Sequence, residues 1–196
     1  MKRTDSIYQS YLQILREELV PAMGCTEPIA VAYAAAAARE ELHGRPDKVH
    51  IEVSGNIIKN VKSVVVPHTG GLRGLEAAAA AGIVAGDAAL RLEVISNANE
   101  EQVKQIEDFV KTADFSVEQI DSPNIFDIRI TLTSGTETAM ARIVGSHTNL
   151  VQLFHNDTIL LDLPCIEVSA DTEKTDRTTL NIADIVDFAD SLDAED

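Results

Sequence analysis

The chain has 196 residues, 45% of them apolar and 24% charged, at a mean hydropathy of zero, the profile of a soluble globular protein with room for one or two compact domains. Acidic residues outnumber basic ones 32 to 16, and the net charge of −16 repels phosphate backbones, which excludes sequence-independent nucleic-acid binding and leaves a small or cationic partner open. No apolar run reaches the ~18 residues of a membrane span, and MKRTDSIYQS leads into an amphipathic pattern, so no membrane partner is expected and the expected location is the cytoplasm.

Ser6 to Leu19 sets Ile7, Tyr11, Ile14, Leu15 and Leu19 at helical spacing behind Asp5 or Ser6 as N-cap, and Pro21 ends the helix. A second helix follows PAMGC, with Thr26 as cap, Pro28 in the first turn and Gly44 as the stop past Leu42. Its alanine run suits a buried helix packed closely on other backbone. The period then changes to two, with Val49, Ile51 and Val53 alternating with polar residues, and Val64 to Val66 reads as a second short strand. The Gly-rich turn PHTGGLRG leads into another Ala-rich helix, LEAAAAAGIVAGD, in which Gly82 and Gly86 permit close approach. Leu92 to Ile95 reads as a strand and Glu100 to Thr112 as an amphipathic helix. Five short β-rich runs follow, at 115–120, 126–132, 138–144, 150–154 and 158–161, and their close spacing argues for hairpins. A polar stretch, SADTEKTDRTT, precedes a last helix from Ile182 to Leu192, which has no evident partner in the chain. The expected class is α+β: Ala-rich buried helices with a mainly antiparallel sheet, plus a C-terminal helix. The expected organisation is an α+β domain over 1–168, then a linker and terminal helix over 169–196.

Cys25 and Cys165 are too few for a disulfide framework and have no CxxC or Cys/His spacing, so no metal site closed by this chain alone is expected. Cys25 stands in the turn before a helix, where unpaired N–H groups and the helix dipole lower a thiol pKa from about 8.5. That suits a base, a nucleophile or a metal ligand, against the plainer role of a small apolar filler. Cys165, in LDLPCIEV, reads as structural. Ser54, Asn56, Lys59 and Asn60 in SGNIIKN, with Thr69 and Gly70 in PHTGG, collect donors near a Gly-rich turn and suit a carboxylate such as that of an amino acid; turn capping accounts for the same residues about as well. His147, Thr148 and Asn149 interrupt two β runs, and His147 suits a carboxylate donor, a proton carrier or an ordinary turn histidine. His43, His50 and His155 fall on solvent-facing or loop positions and suggest no role.

The segments PAMGCTEPIAVAYAAA, SGNIIKN, VPHTGGLRG, LEAAAAAGIVAGD and SHTNLV occur in an order that resembles the L-cysteine desulfidase family, related to the alpha chain of iron–sulfur L-serine dehydratases. The resemblance runs through essentially the whole chain and is closest at GCTEP. It implies the N-terminal half of a carbon–sulfur lyase that converts L-cysteine to pyruvate, sulfide and ammonia, with Cys25 as catalytic base or cluster-proximal thiolate. Thr26 and Glu27 would then stand at the substrate with the SGNIIKN, PHTGG and SHTN residues. It also implies a 4Fe-4S cluster whose ligating cysteines lie in a C-terminal half absent here. The partners implied are a small amino-acid substrate and the missing half or a separate chain, with a homodimer left open. His68 departs from the glycine of the VPGTG form. A serine dehydratase-like part, a non-catalytic amino-acid-binding or regulatory domain, and a truncated remnant are the alternatives.

Overall fold

A computed structural model describes residues 1–165, 175–193 and 195; the stretch 169–174 of the expected linker lies outside them. The chain divides into two compact units, Met1–Pro21 with Val168–Asp196, and Ala22–Glu167. Together they hold an α+β set of elements with a C-terminal helix.

In the first unit, α1 (Ser6–Glu18) meets the last helix, α6 (Ile182–Ser191). Tyr8, Tyr11, Leu12 and Ile14 recur at three- and four-residue steps on α1 and bury themselves with Phe188 of α6. Both tyrosine rings stand edge-on to Phe188, at centroid distances of 5.0 and 5.5 Å, the orientation that the ring quadrupoles favour. The Tyr11 hydroxyl donates to the Thr179 carbonyl, and Asn181 caps α6 by accepting from the Asp184 amide. Periodicity marked α6 as amphipathic; its partner, more than 160 residues earlier in the chain, is α1.

The second unit is built on a six-stranded sheet. Its strands are β1 (Lys48–Val53), β2 (Asp114–Gln119), β3 (Asp127–Ser134), β4 (Glu137–Val144), β5 (Leu150–His155) and β6 (Thr158–Asp162). Their order is β2-β1-β3-β4-β5-β6, antiparallel throughout except where β2 runs parallel beside β1. The later four form the expected hairpins, whereas β1 enters between β2 and β3. One sheet face carries Val49, Ile51, Val53, Ile128, Ile130, Leu132, Ala139 and Ala141, all buried. The other carries Glu52, Arg129 and Arg142, and Arg129 donates to Glu52 across the β1–β3 pair.

The helix α2 (Thr26–Glu41) lies on the apolar face, and every residue from Pro28 to Ala38 is buried. Only small side chains allow this, because α2 is covered again by α4 (Gly74–Ala85). A Cβ on Gly82 would run into the backbone carbonyl of Ala32, and one on Gly86 would come within 2.7 Å of the Cβ of Ala36. The same four-residue step in both helices means that they run in the same direction. Arg39 then caps the end of α4 by donating to the Gly86 carbonyl at 2.7 Å. On the far side of α4 packs α5 (Glu100–Thr112), opened by a capping box between Asn99 and Gln102.

Three local expectations change. GNIIKN, between the two expected strands, is α3 (Gly55–Val61), a short helix with Ile57 and Val61 buried. Val64 to Val66 forms a single bridge, Val65 to Arg73, because only Val66 is buried and no neighbouring strand lies alongside. Leu92 to Ile95 belongs to a 3₁₀ segment (Ala88–Glu93) and the turn after it, with Leu92, Val94 and Ile95 filling the core without a ladder. Among the described residues, no helix is long and apolar enough to cross a membrane.

Candidate functional site

The start of α2 gathers chemistry from three places in the chain. Cys25 is the N-cap, with Thr26 and Glu27 in the first turn. The Cys25 thiol donates to Glu27 Oε2 at 3.4 Å, the Thr26 hydroxyl lies 3.5 Å from the same oxygen, and the Asn60 amide of α3 donates to Glu27 Oε1 at 3.3 Å. His147, in the loop between β4 and β5, is in electrostatic range, so that its ring, when protonated, and the Glu27 carboxylate shift each other's titration. Its ring stands edge-on to Phe126 at 4.6 Å, and its Nε2 is shielded from solvent with no hydrogen-bond partner among the described residues. Glu27, two residues from the cysteine, is the centre of the arrangement.

The protonation states follow from these contacts. Burial pushes the Glu27 carboxyl up, but its own backbone N–H, the Cys25 thiol, the field of His147 and the Asn60 amide together hold it below the ordinary carboxylate value. The Cys25 thiol is raised, first by partial desolvation and then by the hydrogen bond and charge of Glu27. The helix amide expected to favour a thiolate is present, since the Glu27 N–H acts on the sulfur in that direction, but the carboxylate and desolvation outweigh it. Cys25 is therefore a neutral thiol at pH 7, the reverse of the thiolate expected from its place before a helix. Burial lowers His147 more than Glu27 raises it, so the imidazole is neutral as well.

The other expected site residues are placed elsewhere or are already engaged. Ser54 is buried, donates its hydroxyl to the Ile125 carbonyl at 2.6 Å and fixes the loop before β3. The Thr69 hydroxyl closes its own turn by donating to the Val66 carbonyl at 2.7 Å. Asn149 donates to the Val144 carbonyl at 2.8 Å and ties the β4–β5 loop that carries Thr148 and presents His147. Asn56 and Lys59 are exposed on α3, and Asn56 faces a shallow groove of about 280 Å³ with Gln119 and Ser122. Gly70 belongs to a separate cavity of about 420 Å³ against α5, walled by Asn99, Val103 and Glu107. His68 shares that wall at φ +56, a left-handed conformation that favours glycine. Cys165 is half-buried, its sulfur 3.9 Å from the Leu163 carbonyl. Phe126, which orients His147, escaped the sequence reading because nothing local marks an aromatic at a strand start as a ring support.

No family model matches the chain. It is 46% identical over its whole length to a UPF0597 protein of Treponema denticola and 48% identical over its whole length to one of Desulfitobacterium hafniense. A UPF0597 protein of Fusobacterium nucleatum is 40% identical over 95% of the chain. The chain spans about half the length of these curated relatives, 46%, 45% and 44% respectively. These findings correct the family expected from the motifs. The similarity is to proteins whose name states no activity, and nothing in it supports an L-cysteine desulfidase, a serine dehydratase-like lyase or an iron–sulfur enzyme. The lyase part of the truncated-half reading falls with it, since the matching proteins are named for no lyase. The residues present do not fit a 4Fe-4S cluster either, because Cys25 and Cys165 are the two cysteines where such a cluster takes four thiolates. What this chain is similar to, over all of its length, is part of a UPF0597 protein.

Proposed function

We propose that Cys25, Glu27, Asn60 and His147 form a site that binds a small amine-bearing molecule, of the amino-acid class, and exchanges protons with it. The observation that carries this reading is the convergence of side chains from α2 and α3 on one carboxylate, with His147 of the β4–β5 loop within electrostatic range of it. Glu27 is the counter-ion for an ammonium group, and Asn60 holds its other oxygen in place. The solvent-shielded Nε2 of His147, with no hydrogen-bond partner among the described residues, supplies a hydrogen-bonding position for the ligand. A net charge of −16 favours the approach of a cationic group. In proton terms the neutral thiol of Cys25 is the acid of the set and the neutral imidazole of His147 its base. Two free thiols are in keeping with a reducing cytoplasm as the protein's location.

Calorimetric titration with a panel of L-amino acids and simple amines tests the reading. The expected result is saturable one-to-one binding, weakened about tenfold or more by Glu27→Gln, since a hydrogen bond to a charged group contributes ~1.5–3 kcal/mol. Absence of heat with every compound, or equal affinity in Glu27→Gln, would overturn it.

A further inference from the structure

At the other end of α2, ~24 Å from Cys25 along a helix of 16 residues, stands a second cluster. His43 follows the end of α2, Glu137 opens β4 after the β3–β4 turn, and His155 ends β5. The β4–β5 register pairs His155 with Ala139, which is buried on the helix-covered face, and Glu137 lies two residues from Ala139 on that same face. Both side chains thus emerge at the edge of the layer where α2 stops and His43 begins. Their ligand atoms, one from each residue, all lie within 4.8 Å of one another, and His43 Nδ1 is 3.6 Å from Glu137 Oε2. The two imidazole rings are 5.2 Å apart.

From this geometry we propose that His43, Glu137 and His155 bind one divalent transition-metal cation of the zinc type. The independent observation is that Glu137 Oε2 and His155 Nε2 are shielded from solvent and have no hydrogen-bond partner among the described residues. A lone pair on each would otherwise stand desolvated and unpaired, and a cation between them removes that cost. Two imidazoles and one carboxylate are the donor set of three-ligand zinc sites, which leave a further coordination position for water. Metal–ligand bonds of about 2.0–2.2 Å in a tetrahedral site set the donors about 3.3–3.6 Å apart, so the trio closes by up to about 1.5 Å. His43, whose side chain is 79% exposed, has the freedom to make that movement. No residue is shared with the Glu27 site.

The test is calorimetry of the full chain with Zn²⁺ alone, supported by the visible d–d bands of Co²⁺. Native protein is expected to bind one ion, with affinity falling tenfold or more in each of His43→Ala, Glu137→Gln and His155→Ala, since even an outer-shell partner costs 10–100-fold. Cys25→Ser is expected to bind as the native protein does. His43→Ala alters an exposed side chain and leaves the core untouched, so its result is independent of folding. No saturable binding, or binding that survives all three substitutions, or loss in Cys25→Ser alone, would overturn the proposal.

Discussion

Replacing Gly82 by alanine sets two effects of opposite sign against each other. An interior helical glycine is ~1 kcal/mol less favourable than alanine, so propensity alone makes Gly82→Ala stabilising. The added Cβ, however, would run into the backbone of Ala32 on α2, including its carbonyl oxygen, where no side-chain rotation gives relief. Both helices are buried at that point, Val31, Ala32 and Ala81 having no exposed surface. Overpacking of this kind costs ~1–3 kcal/mol and occasionally more, and a backbone obstacle belongs at the upper end. The net expectation is a loss of about 2 kcal/mol, or a urea midpoint lower by about 1 M at a slope of about 2 kcal/mol/M. Ala32→Gly in the same chain is not expected to rescue it, because the obstacle is main chain. Equilibrium urea unfolding followed by circular dichroism measures the difference. A midpoint equal to or above that of the native protein would refute the close α2–α4 contact.

Three further outcomes follow from other contacts. Asp127 is fully buried and accepts from Arg142 Nε at 2.9 Å, Arg142 Nη2 at 2.7 Å and the Ser122 hydroxyl at 2.6 Å, so Asp127→Ala strands a guanidinium and is expected to cost ~3–5 kcal/mol by urea unfolding; a loss below about 1 kcal/mol would count against the buried pair. Phe188→Ala removes the ring against which Tyr8 and Tyr11 pack, and hydrogen exchange is expected to show α1 and α6 amides losing protection, in line with the ~3–5 kcal/mol of a core phenylalanine; unchanged protection would refute the pairing. Because desolvation and Glu27 raise the Cys25 thiol, its alkylation by iodoacetamide at pH 7 is expected to be slow and to quicken in Glu27→Gln, which removes the second of those causes; a slower or unchanged rate in the variant would contradict the thiol–carboxylate contact.

The fold class was legible because its signals are local. Alanines 34–38 and 77–81 specify thin helices, and the alternation of Val49, Ile51 and Val53 gives a strand with one buried face. What sequence could not supply was pairing across distance. The parallel placement of β2 beside β1 depends on α3, α4 and α5 lying between them in the chain, and Val64 to Val66 has strand composition without a neighbour to pair with. At the candidate site, Cys25 and the first turn of α2 are contiguous and could be read directly. Asn60 and His147 were singled out for other reasons, and only the fold brings them to Glu27. The direction of the Cys25 shift was missed because the helix amide is visible in sequence, whereas desolvation and a carboxylate folded back toward the sulfur are not. His43 and His155 looked like isolated surface histidines because the sheet register that joins His155 to the start of β4 is a tertiary fact.

The claim that Glu27 is an ionised, donor-held centre is tested most directly by NMR titration of its ¹³C-labelled carboxyl group. With its folded value depressed, Glu27 contributes stability above the unfolded value of about 4.3 and loses it as pH falls through the lower folded value. The resonance is therefore expected to inflect below about 4.3, to move up in Asn60→Ala, and to shift when an L-amino acid is added at neutral pH. An inflection at or above the ordinary value, indifferent to Asn60→Ala and to the amino acid, would contradict the account.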